Sequence, residues 1–236
     1  MKYVGGELEL FAEASNWKAY LAGQMAPYIG GRVLEVGSGI GSNIPILFND
    51  RVTHWLALEP DERLAAAIEG VSGQEGSHER VAVAVGTTKD LPDHETFDTI
   101  LYVDVLEHIQ DDREELVRAS RHLAPGGHLV VLSPAHQFLF SPFDEAIGHV
   151  RRYGWRALLE LTPAGCQTVT VRMLDSAGFF LSLGNRMAMR SSMPTPGQIK
   201  LWDRVFVPVS RWLDRLTGFW FGKSILVIWK DLVPGG

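Results

Sequence analysis

The sequence predicts an α/β fold with a ligand crevice along one edge of its sheet. Three observations carry that prediction. Arg32 to Val36 reads as a buried strand that breaks into Gly37, Gly39 and Gly41 and restarts as a helix near Asn43. Further apolar, strand-like runs alternate with amphipathic helical ones along the chain. Leu123-Ala124-Pro125-Gly126-Gly127 stops a helix and reverses the chain directly into another apolar run.

The chain has 236 residues, 46% of them apolar, which suits one domain (1–236) with an elaborated end. Net charge is −6 and no Lys/Arg-rich run occurs, so a general nucleic-acid surface is not expected. The single cysteine, Cys166, excludes an internal disulfide and a cysteine metal cluster, and fits a reducing compartment. The start lacks an apolar core of signal-peptide length, and no run is long enough to span a bilayer. The expectation is a soluble, cytoplasmic protein.

Taken in order, residues 1–29 form a helical cap, with Leu10, Phe11, Ala14, Trp17, Tyr20, Leu21 and Met25 at three- and four-residue steps. The first strand and its glycine loop follow, then a short helix from Asn43 to Phe48 that tolerates Pro45 in its first turn. Thr53 to Leu58 is the second strand and ends in Glu59-Pro60-Asp61, with Asp61 capping a helix over 63–68. Strands are expected at 80–85, at 97–103 and into Ser133, with an amphipathic helix over 111–122. A long loop, 134–153, is dense in His, Asp, Arg and aromatic residues, and such loops inside compact domains usually carry function. A helix over 155–161 and a sixth strand over 167–174 follow, with Val169, Val171 and Met173 on one side. Residues 175–218 form a helical insertion before a last strand ending at Trp229, with a kink at Pro208. The apolar positions of 198–216 are expected mostly in the core; an acceptor pocket, a homodimer face and a membrane-touching patch stay open as alternatives.

Two acids carry the chemistry. Glu35 stands just before the first glycine, where a phosphate loop would want amides and cations instead. The third glycine of a dinucleotide fingerprint would fall at position 42, which is Ser42. A carboxylate there suits an ammonium group. Glu59, 24 positions on at the tip of the second strand, can accept from both hydroxyls of a ribose.

The stretch Glu35-Val36-Gly37-Ser38-Gly39-Ile40-Gly41 resembles motif I of the class I S-adenosylmethionine-dependent methyltransferases. Phe97 to Ile109 and the Leu123–Gly127 turn resemble the same family. The resemblance implies a three-layer αβα, Rossmann-like, seven-stranded mixed sheet of order 3-2-1-4-5-7-6 with the last strand antiparallel. It implies S-adenosyl-L-methionine as cofactor, leaving as S-adenosyl-L-homocysteine. Glu35 would serve its amino-acid end, Gly37, Ser38, Gly39 and Gly41 would pass beneath it, and Glu59 with Pro60 would hold the ribose. Asp104 would line the methionine end. Thr87 stands where many relatives carry the acid that meets adenine, so Thr88 is a second candidate for that contact.

Ser133 to Tyr153 resembles the Pro-Ala-His…Gly-His-x-Arg-Arg-Tyr segment of a bacterial subgroup. By that likeness the loop lies over the transferable methyl group. His149 and His136 are candidate general bases, with Asp144 orienting one of them. Arg151 and Arg152 would hold an anionic acceptor and Tyr153 would stack on it, with Trp17, His108 and Phe140 as further acceptor contacts. No tight i, i+4 histidine pair occurs, so no metal is expected. The implied function is O- or N-methylation of a small-molecule acceptor in secondary metabolism or in glycan- or lipid-linked biosynthesis. The alternatives are a cofactor-binding protein without methyl transfer and a nicotinamide oxidoreductase, the latter disfavoured by Ser42. Nucleic-acid methylation is disfavoured by charge and by the lack of an Asn/Asp-Pro-Pro-Tyr type motif.

Overall fold

Seven strands hydrogen-bond in the order β3-β2-β1-β4-β5-β7-β6 in a computed structural model of the chain, which describes residues 7–71, 78–188 and 194–232. They are β1 (Gly31–Val36), β2 (Val52–Glu59), β3 (Val81–Val85), β4 (Phe97–Val103), β5 (Leu123–Pro134), β6 (Cys166–Leu174) and β7 (Ser224–Asp231). The first five pair in parallel, and β7 runs antiparallel to both β5 and β6. This is the order and direction that the resemblance implies.

Strand alternation sorts the core into two layers. Val33, Leu101, Val130, Leu132, Leu226 and Ile228 face one layer. Their neighbours Leu34, Ile100, Leu129, Val131, Val227 and Trp229 face the other. The first layer is covered by α2 (Ser15–Met25) through Trp17, Tyr20, Leu21 and Met25, and by Ile68 of α4 (Glu62–Val71). The second is covered by α5 (Asp112–Arg121) through Leu116 and Ala119, and by Leu158 of α7 (Trp155–Leu159). A sheet buried on both faces needs helices on both, so the three layers follow from the apolar strands.

Local chemistry sets several boundaries. The cap begins with α1 (Glu7–Ala12); the first six residues of the expected cap lie outside the described ones. Asp98, at the start of β4, accepts a hydrogen bond from Arg32 N at 2.7 Å. A Cβ on Gly31 would sit 2.1 Å from that carboxylate, and Gly31 has a φ of +64°, so only glycine fits. Asp111 caps α5 by accepting from Glu114 N at 2.9 Å. Leu106–His108 forms a 3-10 turn rather than the start of a helix, and α5 begins later. On the edge strand β6, Val169 and Val171 are exposed while Thr170, Met173 and Leu174 are buried, with a register shift between Thr168 and Thr170.

The region before β7 departs most from expectation. The helix α8 (Ser176–Ala188) leads, across residues outside the described set, to α9 (Pro196–Leu201), a π-helical turn at Trp202–Phe206, and α10 (Val207–Leu216). The π turn takes up the backbone disruption at Pro208, which then sits within the first turn of α10. Ile199, Trp202 and Val207 turn inward, together with the polar residues Asp203, Ser210 and Asp214. Leu201, Val205, Val209, Trp212 and Leu216 are exposed, so the expectation of a mostly buried apolar face is corrected.

The reason is a polar network reached across the chain. Asp203 accepts from Trp17 N at 2.9 Å and Asn16 N at 3.2 Å. Asp214 accepts from Tyr20 Oη at 2.7 Å, Asp175 N at 2.8 Å and Ser176 N at 3.0 Å. These two acids, not the apolar stripe, hold the helix inward.

Candidate active site

The glycine loop connects β1 to the short helix α3 (Ile44–Leu47) at the carboxyl edge of the sheet. Gly37, Gly39 and Gly41 have φ values of +67°, +57° and +73°. A Cβ on Gly37 would stand 2.8 Å from a Val105 methyl, and one on Gly41 2.9 Å from Ile68 Cγ2. Gly39 faces Leu8 of α1, whose methyl carbon would lie 3.4 Å from its Cβ. The cap therefore lies against the loop. Ser38 is buried, and its hydroxyl donates back to Glu35 O at 3.0 Å.

Glu35 and Glu59 end up on adjacent strands, at the tips of β1 and β2. Glu35 is 1% exposed. Its Oε1 accepts from Asn43 Nδ2 at 2.9 Å, while Oε2 has no hydrogen-bond partner among the described residues. Burial pushes its carboxyl up to about 7, against the pull of the Asn43 hydrogen bond. Lys18 Nζ, which donates to Ser42 O at 3.2 Å, lies within electrostatic reach of Glu35, and burial lowers the Lys18 ammonium. A small cavity of about 10 Å³ opens beside Lys18, Asn43 and Val103.

Glu59 accepts from Gly39 N at 2.8 Å through Oε2 and from Asp61 N at 3.0 Å through Oε1. Each oxygen keeps a second lone pair for a ligand hydroxyl. Burial raises its carboxyl above the ordinary range. Pro60 follows it at the same tip, and Asp61 turns away to cap α4 and accept from Arg63 N at 2.9 Å.

A second cluster forms at the tips of β4 and β5. Asp104 is exposed, has a φ of +54°, and donates its N–H to Leu132 O at 2.9 Å. An aspartate in that backbone region carries strain, which collects at functional sites. Glu107 is 0% exposed, and among the described residues neither carboxylate oxygen has a hydrogen-bond partner. Burial, then the charge of Asp104, drives its carboxyl well above the ordinary range.

His149 stands over Glu107, with Nε2 3.7 Å from Oε1, and its ring meets that of His108 edge-on at 4.6 Å. His149 Nδ1 is 2.9 Å from Asp144 Oδ1, and His108 Nδ1 is 3.2 Å from Gly148 O. Both partners only accept, so each ring places its proton on Nδ1 and its lone pair on Nε2. Burial, then the neighbouring His149, takes His108 down to about 4. Burial acts to raise Asp144, but the hydrogen bonds from His149 and Arg152 outweigh it and hold the carboxyl at about 2.

Several expected acceptor contacts do other work. Arg152 forks onto Asp144 at 2.7 and 2.9 Å. Arg151 is paired with Asp112 and donates to Gln110 O at 2.7 Å. Tyr153 Oη donates to Asp112 at 2.8 Å and is buried. Arg151 and Tyr153 tie the loop to the β4–α5 connection and Arg152 folds the loop onto its own Asp144, so their expected grip on an acceptor is corrected to a structural one. Trp17 is likewise core, packed on Tyr20 and Trp202 at 6.0 and 5.6 Å between ring centres.

Thr87 caps a 3-10 turn with Asp90, and the Thr88 hydroxyl points inward to Glu115 Oε1 at 2.9 Å, which removes that side chain from any adenine contact. His136 has a φ of +65° and packs its ring on Phe138 and Phe179 at 5.1 and 5.2 Å. Phe140 is half-buried just beyond that turn.

Sequence reasoning passed over Asn43 and Glu107. The signal for Glu107 was only an acid after the apolar Val105-Leu106. No local histidine pair marks a metal site, whereas folding brings His149 to the adjacent Glu107 and His108. A separate cavity of about 620 Å³ opens between α1 and α9, lined by Glu9, Glu13, Lys200 and Arg204 among others. None of the strand-tip acids lines it, so its size does not draw the chemistry away from the crevice.

Residues 9–177 match a family profile described as a methyltransferase domain. Norajmaline N-methyltransferase from Rauvolfia serpentina is 31% identical over 118 residues, 49% of this chain and 39% of that one. A tRNA U34 carboxymethyltransferase from Vibrio cholerae is 25% identical over 135 residues, 55% of this chain and 42% of that one. The chain thus spans well under half the length of these curated relatives. Among solved structures, a geranyl diphosphate methyltransferase in complex with SAM aligns with a TM-score of 0.66 at 14% identity, covering 97% of this chain and 92% of that one. The cyclase SpnF aligns at 0.62 and 18% identity, covering 93% and 82%. At those identities the likeness concerns the fold.

Proposed function

Since the chain belongs to the methyltransferase-domain family, we propose that it transfers the methyl group of S-adenosylmethionine to a small-molecule acceptor. The carrying observation is the pair of buried acids, Glu35 and Glu59, at neighbouring strand tips on either side of the glycine loop. Glu35, with one oxygen unpartnered, suits the cofactor's ammonium. Glu59 suits the two ribose hydroxyls, and the backbone of Gly37 to Gly41 lies beneath the nucleoside. Asp104 lines the methionine end, beside the Glu107–His149 recess where the acceptor sits.

The sulfonium already makes methyl a good electrophile, so the chain's task is to align the acceptor for in-line attack and exclude water. His149 is the residue that acts on the acceptor, because Asp144 engages Nδ1 and leaves the Nε2 lone pair on the side of Glu107, 3.7 Å from its Oε1. Asp144 is a positioning residue. His136 lacks such an orienting acid. Calorimetric titration with S-adenosylmethionine followed by a labelled-methyl assay on candidate acceptors tests the reading. Tight binding without transfer to any acceptor favours the alternative, a cofactor-binding scaffold.

One observation favours a lipid-linked acceptor over a freely soluble one. The outer face of 196–216 exposes Leu201, Val205, Val209, Trp212 and Leu216, with Trp220 beyond. The exposed charges on that stretch are Lys200, Arg204, Arg211 and Arg215, while both of its acids are buried. An apolar stripe edged only by cations suits the surface of an anionic bilayer. Co-sedimentation with phosphatidylglycerol vesicles, lost in Trp212→Ser and weakened by salt, is the expected result; equal recovery with neutral vesicles counts against it.

A further inference from the structure

We infer that Glu107, His108 and His149 form a binding site for one divalent first-row transition ion. One ligand atom from each lies within 4.8 Å of the other two. Ions of this class hold nitrogen and oxygen ligands at about 2.0–2.2 Å, so the three must close to about 3–3.4 Å of one another, a side-chain adjustment.

Two further observations point to a ligand rather than to chance proximity. The first is Glu107 itself, 0% exposed with both oxygens unpartnered. A carboxyl buried with no hydrogen-bond donor is a costly arrangement that a bound cation relieves. Of the nearby cationic side chains, Lys223 is engaged by Asp175 and the face of Trp202, while Arg152 forks onto Asp144 through Nε and Nη2 and donates no hydrogen bond to Glu107 among the described residues. The second is the support behind the histidines. A metal-binding imidazole usually donates its other N–H to a carboxylate or a backbone carbonyl, which fixes the tautomer and the ring. His149 has Asp144 in that place and His108 has Gly148 O. Arg152 and Ser141 hold Asp144 in turn. The ring support and the buried acid together describe a three-ligand site.

Two imidazoles and one carboxylate suit zinc, iron(II) or manganese rather than magnesium or calcium, which favour oxygen ligands alone. The ion's task, unlike its binding, rests on the proposed methyl transfer: with the ion bound, His149 Nε2 is a ligand and no longer the free group that acts on the acceptor, and the ion would instead hold the acceptor's oxygen or nitrogen and ease loss of its proton to solvent.

The test uses the full chain freed of metal with a chelator and titrated with Zn(II), and separately with Co(II) followed by its visible absorption, without cofactor or acceptor. Saturable one-to-one binding is expected, weakened at least about tenfold in each of Glu107→Gln, His108→Ala and His149→Ala and unchanged in His136→Ala. Glu107→Gln should also raise the melting temperature of the metal-free protein while abolishing the further rise produced by Zn(II), a pairing that a purely structural glutamate would not give. No saturable binding, or affinity unaltered in all three variants, overturns the site. Because S-adenosylmethionine is absent from the titration, that failure leaves the cofactor reading intact, and failure of cofactor binding leaves this one intact.

Discussion

Replacing Glu35 with Gln should stabilise the empty protein while weakening its hold on the cofactor. The carboxyl is 1% exposed and burial lifts it from an ordinary 4.5 to about 7. The folded state therefore binds this proton more tightly than the unfolded chain does. Its contribution is most favourable below about pH 4.5, is lost as pH rises from there to about 7, and is flat above. A gap of about 2.5 pH units corresponds to roughly 3.5 kcal/mol at ~1.4 kcal/mol per unit. An amide keeps the acceptor for Asn43 but leaves its own N–H₂ poorly matched, so a gain of about 1–3 kcal/mol at pH 8 is expected, shrinking toward zero near pH 5.

Urea unfolding at the two pH values reads the difference directly. Binding runs the other way. The cofactor's ammonium needs the ionised acid, so affinity for S-adenosylmethionine should fall as pH drops through about 7, and the Gln variant should bind weakly with little of that dependence. A variant less stable than the parent at pH 8, or one that binds as well as the parent, would refute the reasoning.

Glu59→Ala should weaken cofactor binding by about 1–3 kcal/mol in calorimetry, since it strands ribose hydroxyls and also releases Gly39 N. Gly37→Ala should lower stability by about 1–3 kcal/mol and impair cofactor binding, because its Cβ would meet Val105 at 2.8 Å from a φ of +67°. Asp214→Ala should cost about 3 kcal/mol or more in chemical unfolding, as it leaves Tyr20 and two buried backbone N–H groups without their acceptor. His149→Ala should lower turnover with cofactor affinity nearly intact, whereas a loss confined to affinity would remove it from the acceptor side.

Much of the fold was readable because local signals agree with it. The strand-glycine-helix punctuation at residues 32–43 is one such signal, and the three loop glycines take positive φ; Pro125-Gly126-Gly127, read as the turn that stops a helix, instead lies within β5 at its register shift against β4, the helix having ended at Arg121. The strand order came from likeness to a family rather than from periodicity, which says nothing about which strand lies beside which.

What stayed hidden depends on partners distant in sequence. The helix at 207–216 has an apolar stripe and a polar side, and the pattern cannot say which one faces in. Tyr20 and Ser176 decide it by donating to Asp214, and Trp17 fixes the preceding π-helical turn by donating to Asp203. Arg151, Arg152 and Tyr153 read as ligand-binding groups in a polar loop until Asp112 and Asp144 are seen to consume them. The unpartnered state of Glu107 is a property of packing, visible only once the strand tips, the 106–108 turn and the 148–150 segment are brought together.

The most direct measurement is a crystal structure of the chain with S-adenosylmethionine bound. The account predicts both ribose hydroxyls within hydrogen-bond distance of the Glu59 carboxylate, with the amino group near Glu35 and the sulfonium methyl facing the Asp104–His149 recess. A nucleoside seated elsewhere, or a crevice that stays empty at saturating cofactor, would contradict it.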